Sequence, residues 1–228
     1  MYESLQQTYG GAVSQATRNR VLRNTYWLLA LSLVPTVLGA WIGVQTKLME
    51  GMPFVISTLI FLGGAFGFMF AIEKTKESST GVFVLLAFTF FMGVMLSGLI
   101  GSVLKFKNGP DLIMLAFGST AAIFATMATI ATTTKRDLSG MGKMLTVGVI
   151  MLFVAALANI FLKSDVLGMT LCVLSTLIFS AYMLYDVKRI VDGGETNYIT
   201  ATLAIYLDIY NVFQSLLALL GIFGGERD

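Results

Sequence analysis

The 228-residue chain contains no histidine and a single cysteine, Cys172. The first absence removes histidine metal ligands, serine–histidine triads and imidazole pH switches. The second removes any disulfide framework and any cysteine metal cluster. Charge is also scarce. Only 12% of residues are Asp, Glu, Lys or Arg, about half the share of an ordinary soluble domain. The net charge of +2 comes with no long basic run, so nothing points to nucleic acid. The opening segment, residues 1–20, is polar and lacks the apolar stretch of a cleavable signal peptide.

What is abundant is apolar sequence. Hydrophobic residues make up 56% of the chain, and the mean hydropathy is +0.81. A membrane-crossing helix needs about 20 apolar residues. Seven such stretches are expected, at 24–44, 53–72, 81–104, 112–134, 141–162, 167–187 and 200–223. The connections are too short for a second domain. The expected organisation is an all-α integral membrane protein, with a polar cytoplasmic tail over 1–22 and a seven-helix domain over 23–228. The first helix would then serve as an uncleaved insertion signal.

Lysine and arginine set the expected orientation. With the N-terminus inside, the cytoplasmic segments hold ten of the fifteen Lys and Arg residues, among them Arg18, Lys74, Lys135 and Lys188. The five others, Lys47, Lys105, Lys107, Lys163 and Arg227, fall on the opposite side. This predicts N-in, C-out. Small residues recur at helix-packing spacing, in the pair Gly63 and Gly67, in the series Gly93, Ser97 and Gly101, and through residues 118–133. They are expected to let helix backbones approach closely.

The sequence is organised around residues 181–217. Two apolar helices flank the polar turn DGGETN, and each carries one carboxylate, Asp186 in the sixth helix and Asp208 in the seventh. An ionisable side chain inside hydrocarbon is costly and marks a functional site by default. The turn joins the ends near which both lie, so the two can face each other about one helical turn apart. Asp208, Asn211 and Ser215 share a helix face, as do Tyr182 and Asp186. Asn159 is a further amide in the fifth helix. These residues are expected to form a polar cluster open to the cytoplasm. Two carboxylates in low dielectric cannot both ionise cheaply, so the pair is expected to hold one proton as a coupled unit. Calcium, which prefers hard oxygen ligands, could replace that proton. The competing reading is an interhelical hydrogen bond that only orders the bundle.

Other classes fare worse. The seventh stretch contains no lysine for a retinal. An aspartyl intramembrane protease pairs two aspartates but carries GxGD at the second, where this chain has YLDIY. No enzymatic activity is expected.

The segments LYDVKRI and YLDIYNVFQSLL resemble the last two helices of the Bax inhibitor-1 family, also called the transmembrane Bax inhibitor motif family. VLRNTYWLL, FGSTAAIFA, TKRDLSGMG and ANIFL are similar to its earlier helices, in order. GGETNYITAT resembles the YccA branch of bacterial inner-membrane members. The resemblance implies seven helices with the seventh at the centre. It also implies a pH-sensitive calcium leak governed by a di-aspartyl sensor, whose positions match Asp186 and Asp208. The YccA branch implies binding to the membrane AAA protease FtsH, whose activity it restrains. Two departures stand out. Members resembling YccA can lack the second aspartate, which is present here. The arginine latch of calcium-leak members has no counterpart in AIEKTKESS, where Glu73 and Lys74 stand. Lysine lacks the bidentate fork of arginine.

Overall fold

The computed structural model describes residues 14–226. Among the described residues seven helices follow one another: α1 Gln15–Gln45, α2 Phe54–Thr75, α3 Ser79–Val103, α4 Gly109–Thr133, α5 Met141–Leu162, α6 Asp165–Val191 and α7 Tyr198–Gly224. No strand occurs among the described residues. All seven helices are long and apolar enough to cross a membrane. Within lipid every backbone polar group must be satisfied inside its own segment, which leaves the helix as the natural form for these runs. The outer surface is apolar as well, with Trp27, Phe83, Phe161 and Phe223 all exposed.

Local chemistry sets the ends. The Ser14 hydroxyl accepts from Thr17 N at 3.2 Å and caps α1. Ser164 caps α6 through Leu167 N, and Asn197 caps α7 through Ile199 N at 2.8 Å and Thr200 N at 3.3 Å. Such caps satisfy amide groups that the first helical turn leaves without partners. Gly193 has φ +83° where α6 closes, a conformation glycine adopts without steric cost. Its neighbours Gly194 and Glu195 donate their N–H groups to the Arg189 carbonyl.

The first helix differs from expectation. Residues 15–22, assigned above to the polar tail, are helical. Hydropathy marks only the apolar length, whereas the helix continues back through QATRNR to its serine cap. Val21 is buried there. The rest of the expected tail, residues 1–13, lies outside the described residues. At 1.5 Å per residue the 31-residue α1 is roughly 46 Å long, well beyond a hydrocarbon core of about 30 Å.

Helix α1 packs most extensively on α3, and α6 on α7. The α1–α3 seam depends on glycine. A Cβ on Gly93 would fall on the Thr36 carbonyl and lie 3.0 Å from Ala40 N. A Cβ on Gly39 would strike the Phe90 carbonyl, and one on Gly43 the Ser97 side chain. The expectation for Gly93 and Ser97 therefore matches the seam, but that for Gly63, Gly67 and Gly101 does not. These three have nothing within 4 Å of a Cβ, so open space and not a close-packed neighbour lies beside them. Gly64, one residue on from Gly63, is the close-packed one and lies against the Phe91 ring.

Helix α7 packs against α1, α2, α3, α4 and α6, and α5 packs on α6. Burial is shared between α7, through Ile205, Tyr206, Val212 and Leu217, and α3, through Leu85, Phe88 and Met92.

Candidate functional site: the α6–α7 seam

Two tyrosines set how α7 is turned. The Tyr206 hydroxyl bonds the Thr36 hydroxyl at 2.8 Å and donates to the Thr89 carbonyl at 3.4 Å. One turn later, Tyr210 donates to the Met92 carbonyl at 3.3 Å. Both tyrosines thus point at the α1–α3 seam. Asp208, two residues from each, is about 200° round the helix and faces the other way. That side is α6.

There the two aspartates meet. Their carboxyl groups lie within hydrogen-bonding reach of each other if a proton stands between them. Asp208 is 4% exposed, and its Oδ2 is fully buried without a hydrogen-bond partner. Asp186 is half-buried. The fixed charges bearing on Asp186 are Arg189 and Glu195, which approach each other at 3.7 Å. Lys188 turns aside. It is buried and paired with Asp192 at 2.7 Å.

The seam continues further along α7. Ser215, seven residues beyond Asp208 and on the same face, bonds Ser175 Oγ at 2.9 Å. Ser175 precedes Asp186 by eleven residues, about three helical turns, and so shares its face. The two helices therefore meet through an acid pair and a hydroxyl pair. Ser175 was absent from the expected cluster, although its spacing from Asp186 is visible in the sequence.

The other expected members make their hydrogen bonds elsewhere. The Tyr182 hydroxyl bonds Thr146 Oγ1 on α5 at 3.0 Å. Asn211 Nδ2 donates to the Leu207 carbonyl of its own helix at 2.7 Å. Asn159 closes α5 at the opposite end of the bundle, where its Oδ1 accepts from Ser164 N at 3.0 Å. A single cluster of all six residues does not form. The turn itself is anchored to the α2–α3 connection, since Asn197 Nδ2 donates to the Lys76 carbonyl at 2.9 Å and to Glu77 at 3.2 Å. Near the missing latch, Lys74 lies over the Phe70 ring at 4.4 Å.

Calcium surrounds itself with about six to eight oxygens. The two facing carboxyls fall short of that shell. Among the described residues no three acidic or cysteine side chains gather.

The fold and this seam define a seven-helix membrane protein with a paired-carboxyl core. The chain belongs to the Bax inhibitor-1 family. The family model described as "Inhibitor of apoptosis-promoting Bax1" matches residues 18–225. Among its relatives is the Escherichia coli K12 protein named "Modulator of FtsH protease YccA", 38% identical over 208 residues, or 91% of this chain and 92% of that one. The same protein in another Escherichia coli strain is called an inner membrane protein. An uncharacterized membrane protein of Vibrio cholerae is 37% identical over 90% of each chain. A Pseudomonas aeruginosa protein is 35% identical over 99% of this chain and 100% of its own length.

Proposed function

We propose that this chain is a non-catalytic modulator of a membrane-bound protease of the FtsH kind, and that it restrains that protease by binding it in the bacterial inner membrane. The observation that supports this reading most is the likeness, along nine-tenths of both chains, to a protein named for that role. The shape of α1 supports it further. About 16 Å of this helix exceeds the hydrocarbon thickness. Its first turns carry Arg18, Arg20 and Arg23 and offer a rigid stub to a partner at the membrane surface. The lysine and arginine bias supports placing this end in the cytoplasm and the C-terminus outside. The test is co-purification from one membrane in mild detergent. The tagged chain should bring the protease with it, and recovery no higher than for an unrelated seven-helix protein would sink the proposal.

A second reading rests on one observation, the buried Asp208 oxygen without a partner beside Asp186. The pair holds one proton and so senses pH, and the bundle passes calcium according to that charge. In liposomes the calcium flux should depend on pH, and Asp208→Asn should remove most of that dependence while the fold persists. A folded Asp208→Asn protein with the full pH response would leave only the structural role of the pair.

A further inference from the structure

Charge is unevenly spread over the end of the bundle that carries the α6–α7 turn. Around that turn and the α2–α3 connection the bases are engaged. Lys76 pairs with Glu73, Lys188 with Asp192 and Arg189 with Glu195, while Lys74 lies over the Phe70 ring. On the α1 side they are not. Arg20 and Arg23 are exposed, and among the described residues neither takes part in a salt bridge. The same holds for Lys135 and Arg136, exposed just after α4. These two stand near the start of α1, because Thr132 shares a small cavity with Gln15 and Asn19. The count of lysine and arginine on one side of a membrane sets orientation. It does not require the unpaired ones to gather at one edge.

Arg20 and Arg23 also crown one face of α1. Trp27, Leu31, Val34, Leu38 and Trp41 follow them at steps of three and four residues, so all share that face. The five apolar side chains are 48% to 73% exposed. The buried side of the helix, with Thr25, Leu28 and Ser32, points the other way. With the apolar run 24–44 in hydrocarbon, Arg23 stands at its edge and Arg20 about 6 Å beyond residue 24. The headgroup layer is about 5–7 Å deep on each side of the hydrocarbon. Both arginines are therefore at headgroup level, directly in line with an apolar strip that the bundle leaves uncovered. A strip of hydrocarbon contacts ending in two unpaired cations is complementary to an amphiphile with an anionic head. A second helix is the poorer occupant. Close helix packing in lipid favours Gly, Ala, Ser and Thr, and none of the five positions carries one.

We propose that the outer face of α1 is a selective contact strip for anionic phospholipid, with the headgroup at Arg20 and Arg23 and the acyl chains along Trp27, Leu31 and Val34. The strip is separate from the aspartate pair. The chain's two tryptophans both lie on it and report on it. Trp41→Phe leaves Trp27, one turn from Arg23. Trp27→Phe leaves Trp41, about 21 Å further along the helix. Each single-tryptophan chain is placed in phosphatidylcholine bilayers containing either phosphatidylglycerol or phosphatidylcholine brominated on its acyl chains, and bromine quenches the indole that it touches. A cation near the membrane surface is worth about fivefold in affinity for anionic lipid. Trp27 should therefore be quenched as if brominated phosphatidylglycerol bound beside it about five- to twentyfold better than brominated phosphatidylcholine. Trp41 should be quenched equally by the two. Arg20→Gln with Arg23→Gln should abolish the preference at Trp27, and Arg20→Lys with Arg23→Lys should keep most of it. Both arginines are exposed, so folding is not at stake, and circular dichroism checks it. Salt that shortens the screening length from about 30 Å to about 3 Å should also abolish the preference. Equal quenching of Trp27 by the two lipids overturns the proposal, as does a preference that survives the glutamine pair or high salt. A preference of the same size at Trp41 overturns it too, since the arginines would not be its source. If the glutamine pair spares the lipid preference but abolishes protease co-purification, the arginines serve a protein partner and the proposal falls.

Discussion

Replacing Gly93 by alanine adds one methyl group at the tightest point of the bundle. The new Cβ would fall on the Thr36 carbonyl oxygen, 2.8 Å from the Thr36 carbonyl carbon and 3.0 Å from Ala40 N. All three atoms are backbone, so no rotamer change can relieve the contact. The helices must move apart. That loosens the reciprocal contact at Gly39 and disturbs the Tyr206–Thr36 bond by which α7 docks on the same seam. In lipid, helix association rests largely on close van der Waals packing. A gap of 0.5–1 Å forfeits about a quarter to a half of each contact's attraction. Overpacking costs about 1–3 kcal/mol, and a backbone-on-backbone clash belongs at the upper end. Alanine's better helix propensity returns about 1 kcal/mol. The net loss is about 2 kcal/mol, which for a chain of this size lowers the melting temperature by roughly 4–8 °C. Thermal unfolding in detergent, followed by circular dichroism, measures it. Gly67→Ala is the control, since its Cβ would meet nothing within 4 Å, and it should melt at or slightly above the parent. If Gly93→Ala melts with Gly67→Ala, the seam is not held by glycine contacts and the packing argument is wrong.

Three further outcomes are expected. Asn197→Ala removes the α7 cap and the tie to Lys76, costing about 1–2 kcal/mol, and hydrogen exchange should quicken first in residues 192–200. Tyr206→Phe loses the hydroxyl bridging Thr36 and Thr89 and should cost about 1 kcal/mol, read as a lower melting temperature at unchanged helix content. A C-terminal alkaline phosphatase fusion should be active and a green fluorescent fusion dark. The opposite pattern would reverse the orientation argued from lysine and arginine.

Much of the fold is legible because lipid imposes one rule on every span. The seven apolar runs declare themselves, and 141–162 coincides with α5. The extension of α1 does not, because hydropathy records burial in lipid while the helix obeys capping. Glycine spacing was ambiguous for a related reason. Gly39 and Gly43 have the same interval as Gly63 and Gly67, but only the first pair faces a neighbour. Spacing gives a stripe, and the packing of other helices decides where that stripe points. The aspartates were visible as lone carboxylates in apolar sequence, and the structure sets them together. The surrounding cluster was not, because hydroxyls and amides find partners close at hand. Tyr182 turns to α5, and Asn159 serves a helix end.

The most direct measurement is the rate at which the purified protease degrades a membrane substrate in one bilayer, with and without this chain. The account predicts slower degradation as the chain is added, saturating at a fixed ratio to the protease, with the protease's ATP-driven activity intact before addition. A rate unchanged at any ratio of chain to protease would contradict it.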